Sequence, residues 1–512
     1  MPAALSGCAL NPVTGQRELH MVSEASEIQL GEKYYPQSRQ SQGGDYVTDP
    51  QVTAYVKGVG AKLAAVADRK LPYEFVVLNA SELNAWALPG GKIAINRGLL
   101  VELQSEAELA AVLSHEIVHA AARHSAQRME KGQLMQIGTA VASIAAAAYG
   151  GSQLGQMVGQ GAQVGSQMIQ AKYGRGDELE ADKYGMKYMK LGGYDLAAAV
   201  SLQELFVRKF KAGNEQDWMT GLFASHPPSE ERVASNRQTM AELGGAGGDL
   251  GAERYKKAIA GLKRAAPAYA KYDQAITVAN KKDFAGAKSL AIEAVALEPR
   301  EARFYGLLAD LELAGENAGA ALGWSEKARS RDPGYFKPHL QSGVAHFELG
   351  DRAAAEPPLA KSMELLPTAP GAYYLGRVNE DSGDRADAVK FYKMIASPKS
   401  TFGRDAMDRL SRLDGGQHLE QYLFIEPRFD EDGRVALVVG NRSASPLTDV
   451  SILVGIVDRS GRTVDGPTRV SIGSRRILPQ KSVTLRSSLG PYKNAEVLRY
   501  VRWKVERARV AQ

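Results

Sequence analysis

The stretch SHEIVHAAARH, residues 114–124, carries the residue types and the spacing that could do chemistry. In an α-helix, residues four apart lie one turn apart on the same face, so His115 and His119 can direct imidazole nitrogens at one ion. Glu116 is offset by about 100° and can reach a water beside that ion. This HExxH pattern therefore predicts two zinc ligands and a general base that helps water attack a peptide carbonyl. The alternative is a solvated helix face that carries these letters by chance.

A catalytic zinc needs a third protein ligand, and RGDELEADKYG, residues 175–185, offers one. Glu178 and Asp182 are four residues apart and share a helix face. We expect Glu178 to bind zinc and Asp182 to accept the N–H of a ligating histidine, which fixes its tautomer. Glu180 lies on the other side of that helix and is a poorer candidate. Taken alone, the stretch would be an ordinary acidic face; beside HEIVH it favours a metal site.

The surroundings of the histidines predict a buried helix. Charged residues in a buried helix need partners, which counts against the solvated-face alternative. His124 follows His115 by two and a half turns, so a continuous helix would point it to the opposite side, and we interpret it as structural. The apolar residues that flank the motif nearly all round are Leu109, Ala110, Val112, Leu113, Ile117 and Val118.

The elements that must position these residues can be read from the pattern around them. Residues 72–80 and 90–98 are rich in β-branched and aromatic residues or bounded by glycines, which predicts two strands. Residues 105–129 predict one helix, with Ser105 and Glu108 forming a capping box at its start. The glycine-rich segment 244–251 predicts a flexible hinge and a domain boundary.

The region after this hinge repeats itself every 34 residues. Small residues and a closing proline at that period are typical of tetratricopeptide repeats, in which small side chains let paired helices approach closely. We expect three to four repeats between about 265 and 400, with a concave face for peptides or partner proteins. A solenoid that serves only as a spacer is the alternative. The registered positions are Pro299, Pro333 and Pro367; Ala287, Ala321 and Ala355; and Ala294, Ala328 and Ser362.

Length and composition complete the organisation. The 512 residues are 44% hydrophobic, and 63 basic against 58 acidic residues give a net charge of +5. That excess is small, so we predict no nucleic-acid partner and no polybasic membrane patch. The fold class is multi-domain: a mainly α zinc-peptidase domain with a small β-sheet, an α-solenoid of tetratricopeptide repeats and a C-terminal all-β sandwich. The predicted domains are an N-terminal linker at 1–45, the peptidase domain at 46–245, the solenoid at 262–412 and the β-sandwich at 416–512.

The one cysteine, Cys8, excludes an internal disulfide. It ends the run Leu5-Ser6-Gly7-Cys8, which resembles a bacterial lipobox and predicts lipid attachment at Cys8. The charged and apolar regions that precede a lipobox are represented by Met1–Ala4 alone, so either the start lies upstream or the segment was trimmed. The alternative to lipid attachment is a disordered terminus with an incidental thiol. No stretch reaches the roughly 20 apolar residues that cross a bilayer; the nearest, residues 137–149, is shorter.

Taken together, HEIVH, the ExxxD pattern of ELEAD and SHPPSEER at 225–232 resemble the gluzincin endopeptidases of the HtpX and CAAX-prenyl-protease superfamily. The likeness covers residues 10–240 and extends into the repeats, as in the periplasmic BepA-type members of that superfamily. The β-domain lies outside it. Members of this class hold one Zn²⁺ per chain, which the resemblance implies here.

The resemblance implies further site residues. The strand at 90–98, with Gly90, Gly91 and Ile93, resembles the family's edge strand, against which an extended substrate adds its backbone, and Asn84 just before it is similar to a substrate-contacting residue. His226 and Arg232 resemble residues near the zinc: the histidine either caps the metal at rest or steadies the oxyanion. The alternative for His226 is a helix start with no role. The glycine-rich segment 137–168 resembles the family's mobile loop.

The sequence therefore predicts a zinc metalloendopeptidase of a Gram-negative envelope, periplasmic and lipid-anchored to the outer membrane. Its expected substrates are unfolded or misassembled envelope proteins captured by the repeats, with the outer-membrane assembly machinery as a partner. A chaperone or assembly scaffold with a silent or rarely used zinc site is the rival function. A cytoplasmic enzyme that starts at Met1 is the rival location.

Overall fold

The HEIVH and ELEAD motifs lie in a group of helices that packs against one small sheet. The structure, a computed structural model, describes residues 8–19, 21–135, 173–212, 225–396, 400–413, 422–443, 445–458, 461–473 and 475–511. The first part of the chain forms the elements β1, β2, α1, α2, β3, β4, β5 and α3–α9 in that order. Their bounds are Cys8–Leu10, Arg17–Leu19, Glu24–Ser41, Pro50–Ala65, Glu74–Leu78, Ala85–Leu88, Lys92–Asn96, Arg97–Glu102, Glu106–Ala121, His124–Met135, Arg175–Leu191, Ala197–Ala212, Glu230–Glu242 and Ala252–Ala258.

The small sheet has the strand order β3-β5-β4, with β5 parallel to β3 and antiparallel to β4. The two predicted strands contain β3 and β5, but β4 was not anticipated. The prediction that residues 90–98 form an edge strand is wrong, because β5 is paired on both sides and Ile93 is fully buried. Gly90 and Gly91 adopt positive φ angles of 76° and 82°, which turn the chain from β4 back into the centre of the sheet. Among the described strands, β4 is the edge on the side away from β3.

The histidine-bearing helix starts as predicted and ends early. Ser105 caps it by accepting from the Glu108 N–H at 3.1 Å, while the Glu108 carboxylate accepts from the backbone N–H of Gln104 at 2.6 Å. The prediction of one helix over 105–129 is wrong: α4 ends at Ala121 and α5 begins at His124. Arg123 between them has a φ of +64°, a left-handed conformation that cannot continue an α-helix.

The glycine-rich segment 244–251 is fixed to the helical part rather than being a free linker. The carbonyl of Leu250 accepts from the Ala107 N–H at 3.1 Å, and the Asp249 N–H donates to the Gly193 carbonyl at 2.9 Å. The described residues up to Pro367 form one unit, and those from Thr368 onward form a second. The predicted hinge at 244–251 is therefore not a hinge in the structure, and the four domain boundaries stay predictions.

Paired antiparallel helices follow at the predicted 34-residue period. The alanines at 287, 321 and 355 are fully buried, as are Ala294, Ala328 and Ser362, which confirms why small residues recur there. The solenoid of tetratricopeptide type is therefore confirmed for the first unit. Its helices α10–α15 span Ala260–Asn280, Phe284–Leu297, Ala302–Ala314, Ala318–Arg331, Phe336–Glu348 and Arg352–Leu365.

The second unit contains three further helices and the β-rich end of the chain. Its strands form two three-stranded antiparallel sheets, of order β10-β7-β6 and β11-β8-β9, whose central strands β7 and β8 carry the buried valines, leucines and isoleucines. This confirms the predicted all-β region. Helices α16–α18 span Ala369–Ser382, Arg385–Ile395 and Thr401–Leu413; strands β6–β11 span Leu423–Phe429, Val435–Asn441, Leu447–Val457, Thr463–Ser471, Ser482–Arg486 and Val501–Val510.

Two predictions concern segments at the margin of the described chain. Cys8 opens β1, paired with β2 through Leu19, and residues 1–7 lie outside the described residues, so lipid attachment stays a prediction. The proposed mobile loop at 137–168 also lies outside them. Within the part that is described, no helix combines the length and the hydrophobicity needed to cross a bilayer.

A buried carboxylate joins the repeats to the sheet-bearing part of the same unit. Glu301, 1% exposed, accepts from Thr48 Oγ1 at 2.8 Å, Asn79 Nδ2 at 2.9 Å and Tyr269 Oη at 2.5 Å. It also caps α12 by accepting from the Arg303 N–H at 3.0 Å. One side chain thus satisfies donors from the loop before α2, the end of β3 and the first repeat helix.

Replacing Glu301 with alanine should destabilise the first unit by on the order of 3 kcal/mol, because several buried donors lose their acceptor. The measurement is urea unfolding followed by tryptophan fluorescence. Glu364→Ala is the control, since Glu364 is a largely exposed repeat residue paired with Lys361, and such surface pairs contribute less than about 1 kcal/mol. Equal effects of the two substitutions would contradict this role of Glu301.

Candidate metal centre

Helix α4 places His115, Glu116 and His119 in the interior. Every residue of this helix is buried, in keeping with its apolar flanks. The Nε2 atoms of His115 and His119 lie 2.9 Å apart, so the two imidazoles converge as their spacing predicts. Two nitrogens this close can share a proton or bind a common cation.

Helix α6 packs against α4 and brings the two predicted carboxylates to the histidines. Glu178 lies with Oε1 3.4 Å from His119 Nε2 and Oε2 3.6 Å from His115 Nε2. Asp182 accepts from His115 Nδ1 at 2.9 Å, so the Nε2 lone pair of His115 faces the cluster. The structure thus places both acidic residues where the sequence predicts them.

His226, between α7 and α8, completes the cluster. Its Nδ1 lies 3.2 Å from His115 Nε2 and 3.0 Å from Glu178 Oε1. The four donor atoms of His115, His119, Glu178 and His226 all lie within 4.8 Å of one another. A tetrahedral zinc site with bonds of about 2.0–2.1 Å has edges of about 3.3 Å between ligands. Three nitrogens and one carboxylate oxygen at this spacing fit a metal of that size.

Arg232 on α8 pairs with the carboxylates of Asp182 and Glu178. Its Nε and Nη2 each donate to Asp182 at 2.7 Å, and its Nη1 lies 2.7 Å from Glu178 Oε2. Burial by itself would raise the pKa of Asp182, but Arg232 and His115 lower it. Burial also opposes ionisation of Glu178, yet His226, Arg232 and His115 hold its pKa well below the usual value. Both side chains are therefore carboxylates, as metal binding and imidazole orientation require.

Glu116 faces the same cluster in a different electrostatic state. Burial raises its pKa, which is the shift expected for a group that must take up a proton. Its Oε1 lies 3.6 Å from His226 Nε2, and its Oε2 has no hydrogen-bond partner among the described residues. An unpaired buried carboxylate oxygen costs free energy unless a water or substrate pairs with it. The geometry therefore suits a general base.

The position expected for His124 is wrong. Because α4 breaks at Arg123, His124 returns to the cluster, with Nδ1 2.8 Å from His119 Nδ1 and Nε2 3.2 Å from Glu180. Tyr173, which belongs to none of the sequence motifs, stacks on the His119 ring at 3.7 Å between centroids. Helical spacing predicts neither contact. The contact of His119 with His124 depends on the left-handed Arg123, and its contact with Tyr173 depends on the loop before α6.

The predicted substrate-strand residues are not part of the donor cluster. They lie in or beside β4, the turn at Pro89–Gly91 and β5, and α4 packs against β4 and this turn. Asn84 directly precedes β4 and is 9% exposed, and its Oδ1 has no hydrogen-bond partner among the described residues.

A cavity of about 40 Å³ adjoins the cluster on the side of His115 and Arg232. Such a volume accommodates about three water molecules or a short side chain. Its walls are mainly apolar, and two buried amide oxygens, those of Gln203 and Asn236, have no partner among the described residues. The apolar lining includes Ala111, Val112, Met186, Met189, Leu202 and Phe206.

A buried helix with two histidines and a base, joined by a glutamate from a second helix, defines the centre of a metallopeptidase. Residues 50–240 match the model of peptidase family M48. Metalloprotease YcaL of Escherichia coli K12 is 30% identical over 200 residues, which is 37% of this chain and 74% of YcaL. The chain belongs to peptidase family M48.

Two beta-barrel assembly-enhancing proteases are also similar to this chain. The beta-barrel assembly-enhancing protease of Yersinia pestis is 27% identical over 354 residues, 64% of this chain and 71% of that protein. Its counterpart in Escherichia coli K12 is 27% identical over 245 residues, 47% of this chain and 49% of that protein. The match thus spans about half the length of the second relative.

Replacing His119 with alanine should abolish stoichiometric metal binding, because it removes one of the convergent donors. The loss in affinity should exceed the about 10–100-fold that removal of an outer partner costs. Metal content of the purified chain, by inductively coupled plasma mass spectrometry, measures this. His346→Ala, which removes a histidine from a repeat helix, should retain wild-type content; retention by His119→Ala would contradict the assignment.

Proposed function

We propose that this chain is a zinc metalloendopeptidase that hydrolyses misfolded or stalled envelope proteins. The observation that carries the proposal is the unpaired Glu116 carboxylate beside four convergent donor atoms. Three imidazole donors with one carboxylate favour zinc over magnesium or calcium, which prefer oxygen ligands. We assign His115, His119 and Glu178 as its ligands.

The residues divide the work of peptide hydrolysis. Zinc held by His115, His119 and Glu178 would supply a Lewis acid that makes water nucleophilic near neutral pH and polarises the scissile carbonyl. Glu116 takes the proton of the attacking water on its free oxygen and delivers it to the leaving amine. Asp182 holds the Nδ1–H of His115, so that His115 keeps its Nε2 lone pair for the metal. Arg232 fixes both acidic residues of α6.

We propose that His226 is the resting cap of this centre. Burial alone would lower the pKa of His226, but Glu178 and Glu116 raise it. The negative charge of these two side chains that favours a positive imidazole also favours a divalent cation beside it. With His226 included, the candidate donors number four, so a zinc ion held by all of them would have no position left for water. His226 would then have to move away before hydrolysis.

An extended substrate would be bound along β4 rather than along residues 90–98. The central strand has no free backbone groups for pairing, whereas β4 pairs on one side among the described strands. Asn84 would contact the peptide where β4 begins. Backbone pairing of this kind accepts many sequences, and the apolar cavity next to the cluster adds a preference for an apolar side chain.

The repeats would capture unfolded or misassembled proteins and contact the outer-membrane assembly machinery. The relatives from Yersinia pestis and Escherichia coli are beta-barrel assembly-enhancing proteases, which supports an envelope role for this chain. We place it in the periplasm, held to the outer membrane by a lipid on Cys8.

Glu116→Gln should lower casein hydrolysis by about 10²- to 10⁴-fold, because the proton acceptor is lost. Metal content should stay at the wild-type level, since Glu116 is not a ligand. A scaffold with a silent metal site is the second candidate, favoured by the closed set of four donors. That scaffold predicts that Glu116→Gln fully rescues a deletion strain, whereas the peptidase predicts no rescue.

His226→Ala should raise casein hydrolysis several-fold while three metal ligands remain. The comparison is the initial rate at equal metal content, with His339→Ala as a control that removes a buried histidine from the repeats. If His226 instead steadied the oxyanion, its replacement would lower the rate as Glu116→Gln does.

A further inference from the structure

His124 lies between a metal-facing histidine and a carboxylate. It is buried, its Nδ1 is 2.8 Å from His119 Nδ1, and its Nε2 is 3.2 Å from Glu180 Oε1. His119 directs its other nitrogen, Nε2, at the donor cluster. A lone pair on that Nε2 requires the ring proton of His119 to be on Nδ1.

The positions of the protons follow from these contacts. If His119 donates from Nδ1, then His124 Nδ1 must accept and the His124 proton must be on Nε2. That Nε2–H then has Glu180 as its acceptor. Each nitrogen and oxygen in the series from Glu180 through His124 to His119 is thus either a donor or an acceptor. The series ends at His119 Nε2, whose lone pair faces the donor cluster.

We propose that His124, oriented by Glu180, is the positioning residue that fixes the tautomer and ring orientation of His119. It is the counterpart of Asp182, which holds His115 directly at 2.9 Å. The proposal rests on the proposed function, because it concerns the affinity of the cluster for zinc. Outer partners of metal-binding histidines typically contribute about 10–100-fold to metal affinity.

The fold around Arg123 brings His124 into this position. A non-glycine residue in the left-handed region costs about 1–2 kcal/mol, so the surroundings must impose it. The Arg123 guanidinium pairs with buried Glu27, donates to the Val22 carbonyl at 2.6 Å and lies 3.4 Å from Glu130. These contacts come from the segment before α4 and from α5, and together they hold the turn between the two helices.

Tyr173 packs beside His119 and His124. Its ring stacks on His119 with 25° between the planes, and its hydroxyl lies 3.2 Å from Ser125 Oγ, next to His124. The imidazoles of His119 and His124 are inclined at 71°. His119 is thus held by a stacking contact on its face and by His124 at its edge.

The test is zinc affinity of the full chain, measured by competition with a chromophoric chelator. His124→Phe keeps a ring but offers no acceptor, so the Kd for zinc should rise about 10–100-fold. His124→Gln can accept from His119 and donate to Glu180, so it should restore most of the affinity. Glu180→Gln, on a side chain 27% exposed, should weaken zinc binding in the same direction by a smaller factor.

The measured zinc affinities distinguish a failure of this proposal from a failure of the metal centre itself. A Kd within twofold of wild type for both His124→Phe and Glu180→Gln would overturn the proposal. If His124→Phe does not fold, an unchanged Kd for Glu180→Gln alone overturns the proposal. If His124→Phe folds, equal losses of affinity for His124→Phe and His124→Gln overturn it as well, because His124 is then only a packing residue. If His119→Ala also leaves zinc binding intact, the proposed metal centre itself fails, whatever His124 does.

Discussion

The Arg232 guanidinium lies against two carboxylates, those of Asp182 and Glu178, in a region from which water is largely excluded. Buried charges are tolerated when each has a partner, and removing one partner of such a set typically costs about 3–5 kcal/mol. The positions of α6 and α8 follow from this requirement, since α6 supplies the two carboxylates and α8 the guanidinium. Helix α4 is joined to them by His115, which donates to Asp182. A divalent cation beside Glu178 and Glu116 would likewise offset the negative charge of these two buried side chains.

Close approach of α4 and α6 depends on a small residue as well as on charge. A Cβ at Gly185 would lie 3.2 Å from the His115 backbone nitrogen and 3.2 Å from Ser114 Oγ. A larger residue would therefore separate the helices just where His115 must meet Asp182. Packing and electrostatics act at the same point, because the hydrogen bond from His115 to Asp182 forms only when the two helix backbones are this close.

Local periodicity predicts the residues that share one element, and tertiary contacts decide the rest. His115 with His119, and Glu178 with Asp182, are four apart on single helices, so their convergence was predictable, as was the burial of small residues at the 34-residue period. The break at Arg123 was not, because it is imposed by Glu27, which lies 96 residues earlier in the chain. His124 was misplaced for that reason. Strand β4 was missed because its four residues, AWAL, are too short and too uniformly apolar to show an alternating pattern.

The first repeat helix contacts the loop that leads from β3 to β4 and the residue that follows β5. Arg97 follows β5; its guanidinium stacks on Tyr269 of the first repeat helix at 3.3 Å and donates to Asn79 Oδ1 at 2.8 Å. Ser81, in the loop that leads to β4, donates to Asp273 of the same repeat helix at 2.9 Å. The loop that carries Asn84 is therefore anchored on the repeats rather than on the peptidase helices alone. A polypeptide bound by the repeats and one paired with β4 would be held by adjoining parts of a single packed unit. A shift of the first repeat helix would then move the start of β4 relative to the buried cluster, and the repeats could change how substrate meets Glu116 without touching the metal ligands.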